Sequence, residues 1–291
     1  MNGVANWMQR LEEAWARRHA AKAEPPPDDE GRRAVCVITG GSEGIGRRLA
    51  DEFARDGHAL LLIARTEAKL EAAAAELHRD HGADVYIAPI DLTGPDCVHR
   101  VQFALDGYGL YADFLVNNAG VGLGGPFVDH DAERLARLLA LNVDALTTLT
   151  RHFLPGMLAR ARGGVLNLAS LGGLMPGPYQ AAYYASKAYV VALTEALAFE
   201  YAGLGVRISA ALPGPVRTQF HEKMGVKEAY YLHLPGMMAP EKAAAFIYSA
   251  FMGRKTLIVP GLLPSLNSFA VRYIPHIILV PFIGWLLKRR Y

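Results

Sequence analysis

The chain has 291 residues, 52% hydrophobic and 20% charged, a balance that excludes a disordered polymer and suits one large α/β domain. Its 30 basic and 28 acidic residues leave a formal charge of +2, so no broad field of one sign invites nucleic acid. The cysteines are Cys36 and Cys97, with no CxxC or Cys/His cluster, which argues against a disulfide framework or a metal site and for a reducing, cytoplasmic compartment.

Residues 1–23 mix Trp7, Met8, Leu11 and Trp15 with arginines and glutamates, and lack the continuous apolar run of a signal peptide. Trp7, Leu11 and Trp15 fall on one helical face, which predicts docking on protein or, as the other reading, on a membrane surface. Residues 24–33 form a linker that opens with Glu24-Pro25-Pro26-Pro27-Asp28-Asp29-Glu30, stiff because proline fixes φ and offers no N–H.

The main domain is expected over 34–260. Hydrophobic patterning predicts strands at about 34–39, 59–64, 84–90, 112–116, 164–169, 205–211 and 256–259. Helices are predicted at about 45–56, 67–80, 95–106, 130–160, 181–202 and 240–252. Runs such as Leu60-Leu61-Leu62-Ile63 are apolar throughout, as strands are when helices cover both faces of a parallel sheet. The alternation predicts a Rossmann-type doubly wound α/β fold of about seven strands in a single domain. His78 and His81 share a helix face without a third ligand, so a solvated surface is expected there rather than a metal.

Residues 261–291 have a different character. Tyr273 to Leu287 is strongly apolar but broken by Pro275 and Pro281, and Lys288-Arg289-Arg290 follows. The run is too short and too broken for a membrane span. Two readings stay open: an interfacial anchor, with Trp285 beside basic residues, or a tail packed on a subunit interface or over a substrate cleft.

The first strand runs into Thr39-Gly40-Gly41-Ser42-Glu43-Gly44-Ile45-Gly46. Glycines 40, 44 and 46 permit a tight turn and close approach of a pyrophosphate, while the helix starting near Ile45 offers free N–H groups. In form and position this stretch resembles the Gly motif of the short-chain dehydrogenase/reductase family, and the resemblance runs from about Ala34 to Pro260. It implies that Gly40, Ser42, Glu43, Gly44, Ile45 and Gly46 line a nicotinamide dinucleotide, with Asp91 and Leu92 at the adenine. Asn118, Ala119 and Gly120, after the fourth strand, are implied to line the cofactor too. Pro213, Gly214, Val216 and Thr218, after the sixth, match the family's segment beside the nicotinamide.

At the end of the second strand an acid would bond the ribose 2′-OH of NAD(H), but Ala64 and then Arg65 stand there. The guanidinium favours a 2′-phosphate and hence NADP(H) over NAD(H), while Thr66 adds a hydroxyl donor or caps the next helix. Glu43 speaks against NADP(H), since many NADP-using relatives carry Lys or Arg at that position.

Tyr183 and Lys187 lie four apart, one above the other on a helix, and a nearby ammonium is expected to lower a phenol's pKa. The resemblance implies a tetrad. Ser170 ends the fifth strand as the hydroxyl that holds the substrate oxygen, and Asn142 holds a water that links Lys187 to solvent. Tyr183 and Lys187 are implied to touch the cofactor as well. The segment 214–240 carries Phe220, Met224, Tyr230, Tyr231, Leu232, Leu234, Met237 and Met238, a lining for an apolar ligand.

Among relatives, the appearance is nearest the membrane-associated ketoacyl and 3-ketosphinganine reductase-like branch. That implies an NADPH-dependent reductase of a 3-oxoacyl or 3-keto lipid, with a steroid, retinoid or other hydrophobic carbonyl or alcohol as the alternative. A catalytically silent nucleotide-sensing scaffold is the non-enzyme reading. The family also implies a homodimer or homotetramer through the helices at 130–160 and 181–202; the face of Tyr189, Val190, Leu193 and Leu197 suits that contact or the core. Peripheral contact with the cytoplasmic membrane face, through residues 261–291, is the remaining expectation.

Overall fold

The computed structural model describes residues 31–226, 237–261 and 273–288. The expected N-terminal helix, residues 24–30 of the linker, and Tyr230, Tyr231, Leu232 and Leu234 lie outside them.

The strands are β1 (Arg33–Thr39), β2 (Leu60–Ala64), β3 (Val85–Pro89), β4 (Leu110–Asn117), β5 (Gly164–Leu168), β6 (Arg207–Ala211) and β7 (Leu257–Ile258). They form one parallel, seven-stranded sheet in the order β3-β2-β1-β4-β5-β6-β7. This is the doubly wound fold that the alternation predicts. Its strand order reverses between β1 and β4, which opens a crevice at their C-terminal ends.

The helices are α1 (Gly44–Arg55), α2 (Glu67–His81), α3 (Cys97–Gly107), α4 (Ala132–Leu139), α5 (Leu146–Ala159), α6 (Ala181–Glu200), α7 (Phe220–Lys223), α8 (Pro240–Met252) and α9 (His276–Leu287). Alternation along β1 feeds two cores. Cys36 and Ile38 face α1, α2 and α8, where they meet Leu49, Phe53, Leu70 and Phe251. Val35 and Val37 face α3 and α5, where they meet Val101, Leu105, Leu149 and Phe153. Both faces of the sheet are thus dry, which is why its strands read as unbroken apolar runs.

Several expectations need correction. The single helix expected over 130–160 is three segments, because a π-helical turn, Ala140–Ala145, separates α4 from α5. Asn142 sits in that turn, where its side chain bonds the backbone N–H and carbonyl of Val121. His78 is exposed on the helix surface, as expected, and bonds the Ala83 carbonyl at 3.1 Å, whereas His81 is partly buried and meets Asp51 at 3.1 Å. Thr66 occupies the N-cap of α2, yet its side chain makes no capping bond. Val190 is fully buried and Leu197 packs on the core, whereas Tyr189 is partly exposed. Residues 276–287 form a helix despite Pro281, because Leu279, Ile283 and Leu287 bury against Met175 and Tyr184. Pro275 stands at its N-cap, where a missing N–H costs nothing.

Candidate active site

The crevice between β1 and β4 is braced before any ligand is considered. The Thr39 hydroxyl donates to the Val116 carbonyl at 3.2 Å and accepts from the backbone N–H groups of Asn118 and Ala119, each at 3.0 Å. Asn118 Nδ2 returns two bonds of 3.0 Å, to the carbonyls of Thr39 and Gly40. Below it, the Asn117 amide donates to Asn167 Oδ1 at 2.9 Å, and Asn167 donates to the Thr194 hydroxyl at 3.0 Å. A buried polar ladder therefore ties β4, β5 and α6 under the site.

Gly40 and Gly44 have φ of +64° and +61°, where only glycine rests without strain. A Cβ at Gly46 would fall 2.2 Å from Asn118 Nδ2, so α1 approaches the crevice at backbone distance. At Gly44 a Cβ would meet only Thr218, at 3.7 Å. The N-cap of α1 is Glu43, whose side chain makes no capping bond, and the first turn carries no acid. Its leading N–H groups are thus available to an anion. Ser42 is partly buried, and Ile45 packs on the core below.

Beside this loop lies a group of charges. Exposed Arg65 follows β2 directly, and its field reaches Asp91. Burial alone would raise the Asp91 carboxyl, but Thr93 donates to it from N–H and hydroxyl, and Arg137 and Arg65 add positive charge, so it is held below the usual range. Leu92 is buried beside it. Glu43 is not a bare negative charge: Lys69, at 3.0 Å, and Lys223 both pair with it. Burial would push its carboxyl up, and the two ammoniums more than offset that. These residues fit a nicotinamide dinucleotide: open backbone donors for a pyrophosphate and a guanidinium at the ribose end.

At the other end of the crevice, α6 brings Tyr183 and Lys187 under the end of β5. Ser170 lies within hydrogen-bonding reach of the Tyr183 phenol, while its Oγ accepts the Gly172 N–H at 3.1 Å. Lys187 is buried, donates to the Leu168 carbonyl at 2.7 Å, and holds its Nζ 5.9 Å from the centre of the Tyr183 ring. Gly120 marks where the set converges: a Cβ there would lie 3.2 Å from Asn142 Oδ1 and 3.5 Å from Lys187 Nζ. Asn142 donates to the Val121 carbonyl at 2.9 Å and to Ser186 at 3.0 Å, and its Oδ1 accepts the Val121 N–H at 2.9 Å. The four tetrad residues are therefore gathered in one place.

One electrostatic expectation is overturned. The Tyr183 phenol is not lowered by Lys187. Burial pushes it up to about 12, with the Ser170 hydroxyl pulling the other way. Burial also brings the Lys187 ammonium down to about 8. Desolvation dominates at both groups, and the ammonium is aimed at the Leu168 carbonyl and not at the phenol.

Pro213, Gly214, Val216 and Thr218 run along the mouth, where the Pro213 carbonyl accepts the Leu171 N–H at 3.1 Å and Val216 bridges to Met238. Phe220 and Met224 close over Tyr183, with ring centroids 5.6 Å apart for Phe220, in a cluster completed by Leu123, Leu138 and Val226. Val226, Gly122 and Gly124 escape sequence reasoning. A Cβ at Gly122 would strike Met224 at 2.7 Å and one at Gly124 would strike Val226 at 2.2 Å, so these glycines let the lid settle. Their run, Gly120-Val121-Gly122-Leu123-Gly124-Gly125, is the signal that was available.

Comparison with known proteins agrees with this geometry. A family profile described as short chain dehydrogenase matches residues 34–229. The very-long-chain 3-oxoacyl-CoA reductase of Bos taurus is 33% identical over 188 residues, covering 63% of this chain and 60% of that protein. The match thus spans less than two thirds of the bovine protein's length. The enzyme of the same name from Rattus norvegicus is 29% identical over 250 residues, covering 82% of this chain and 76% of its own. A solved short-chain dehydrogenase from Sphingobium yanoikuyae, in complex with NADPH, superposes with a TM-score of 0.72 at 31% identity, covering 84% of this chain and 96% of that one.

Proposed function

The chain belongs to the short-chain dehydrogenase family of oxidoreductases, and from that premise we propose that it reduces the carbonyl of a hydrophobic, 3-oxoacyl- or 3-keto-lipid substrate with NADPH. The observation that carries the reading is the Tyr183 phenol, buried, within reach of the Ser170 hydroxyl, and roofed by Phe220 and Met224.

A bound nicotinamide dinucleotide supplies the hydride that goes to the carbonyl carbon. Ser170 donates to the carbonyl oxygen and holds the charge that develops there. Tyr183 gives that oxygen its proton, so carbonyl, hydride and proton together make an alcohol. A phenol pushed up to about 12 stays protonated at neutral pH, which suits a proton donor. Lys187, charged below about 8 and 5.9 Å from the centre of the Tyr183 ring, is assigned the source of the replacement proton. Asn142 has both ends of its amide engaged by Val121 and Ser186, so we assign its side chain the task of positioning and leave contact with a relay water to its backbone in the π turn.

Arg65, with no acid at the end of β2, supports NADP(H) over NAD(H). Pairing of Glu43 with Lys69 and Lys223 removes much of the objection that residue raises. The apolar lid and the names of the mammalian relatives support the lipid-like substrate. The proposal extends to a homodimer or homotetramer through α4, α5 and α6, where Leu139 and Phe199 are exposed, to a cytoplasmic location, and to peripheral contact with a membrane.

Incubating purified protein with NADPH and 3-oxoacyl thioesters of graded chain length, and identifying 3-hydroxy products by mass spectrometry, tests the reading. Product that rises with chain length is expected. Turnover of steroid ketones alone would move the substrate class, and NADPH binding with no turnover of any carbonyl would favour a silent scaffold.

A further inference from the structure

α9 is apolar on every side, yet only one stripe of it is covered. Leu279, Ile283 and Leu287, at a spacing of four, are buried against Met175 and Tyr184. The opposite stripe turns outward, with Ile277 83%, Ile278 63%, Phe282 55% and Trp285 57% exposed. Phe282 and Trp285 stack there, with ring centroids 6.2 Å apart. A helix apolar all round belongs inside a core or against lipid, and an exposed patch of this kind marks a contact surface.

Charge chooses the partner. From Lys242 to Tyr291 the chain holds no Asp or Glu and seven Lys or Arg, three of them, Lys288, Arg289 and Arg290, directly after α9. A second copy meeting α9 symmetrically would bring together two acid-free helices, each followed directly by three basic residues. An anionic lipid surface offers the opposite charge, and a Trp beside basic residues suits the headgroup region. Length then fixes the orientation. At 1.5 Å per residue a helix this short spans about 18 Å, against roughly 30 Å of hydrocarbon. Among the described residues, no helix is long and apolar enough to cross a membrane.

We propose that α9 is an in-plane docking helix for an anionic bilayer surface, and that it sets the mouth of the Tyr183 cleft against that surface. Its buried stripe rests on Tyr184, the neighbour of Tyr183, and on Met175, which follows the turn after Ser170. A Cβ at Gly284 would touch Pro178 at 3.4 Å, so the helix lies close along the segment that leads into α6. The docking surface stands on α9 and its charges alone. Delivery of a lipid-like carbonyl from the bilayer rests on the proposed reaction.

Cosedimentation of the full chain with phosphatidylcholine vesicles, with and without phosphatidylserine, tests this. The wild type is expected to pellet with the anionic vesicles, and less so in high salt or without phosphatidylserine. Replacing Ile277, Ile278 and Phe282 together by Gln is expected to cut binding by roughly tenfold or more while NADPH oxidation with a short, water-soluble ketone is unchanged. Lys288→Glu with Arg289→Glu and Arg290→Glu, which spares the apolar stripe, is expected to weaken binding to the anionic vesicles alone. Wild type left in the supernatant with both vesicles overturns the proposal, as does pelleting of both variants at the wild-type level. Light scattering that shows the Gln variant dissociating a dimer, with the wild type ignoring vesicles, would assign the face to a second copy. Pelleting needs no turnover, so a chain that binds vesicles but reduces nothing would sink the reaction and leave the docking standing.

Discussion

At the cofactor end of the crevice the contacts are fixed against backbone: the Asn118 amide donates to the carbonyls of Thr39 and Gly40, and Gly46 packs against it with no room for a Cβ. At the substrate end Tyr183 is surrounded by side chains, Phe220, Met224 and Val226, that arrive from a distant segment and make apolar contact only. The first arrangement tolerates almost no change, because a backbone cannot step aside. The second can be repacked, and apolar packing of this kind is where one fold changes its substrate while keeping its chemistry.

The sharpest way to break this contrast is Gly46→Ala. Its Cβ would fall 2.2 Å from Asn118 and 2.4 Å from the Gly40 carbonyl, and overpacking of this kind costs about 1–3 kcal/mol. We expect NADPH affinity, read by fluorescence titration, to fall on the order of a hundredfold. Unchanged affinity would mean that the loop yields and the contrast is false.

Arg65→Ala comes next, since a charge-assisted bond to phosphate is worth about 1.5–3 kcal/mol. The ratio of kcat/KM for NADPH over NADH should drop by roughly tenfold to a hundredfold, with NADH little affected. An unchanged ratio would move 2′-phosphate recognition to another residue, with Lys69 the first to try.

The legibility of the two ends follows the same division. The cofactor end announces itself because Gly40, Gly46, Asn118 and Thr218 all lie within a few positions of a strand end, so local sequence carries their geometry. β1 through β6 and α1, α2, α6 and α8 fall close to their expected bounds for a like reason: their apolar periodicity is set by the two cores. The lid is legible only in part: Phe220 and Met224 belong to the apolar segment expected over 214–240, whereas the partners of Gly122 and Gly124 carry no motif. Lys223, the partner of Glu43, stands 180 residues away. α9 is hidden by the two prolines and by an apolar pattern without period, since both its stripes are greasy. The π turn at Asn142 and the raised Tyr183 phenol depend on tertiary burial, which spacing along a helix does not report.

Smaller effects test the substrate end. Burial brings Lys187 down to about 8, so its positive charge is present below that pH and lost above it, while Tyr183 remains protonated to about 12. The reductive kcat is expected to decline several-fold as pH rises through about 8. A profile flat to pH 10 would remove Lys187 from the proton path. Phe220→Ala uncovers the Tyr183 ring and forgoes an aromatic contact worth about 0.5–1.5 kcal/mol. It should raise KM for long-chain ketones a few-fold and leave NADPH affinity alone, the mildest change and the one most confined to its own end.

The central claim is that Tyr183 hands its proton to a carbonyl oxygen held by Ser170. Tyr183→Phe removes one oxygen atom and leaves the ring, the lid and the glycine loop in place. Turnover of the best carbonyl substrate should fall by roughly a hundredfold to ten-thousandfold, with NADPH binding within about twofold of wild type. A variant that still turns over near the wild-type rate would contradict the account.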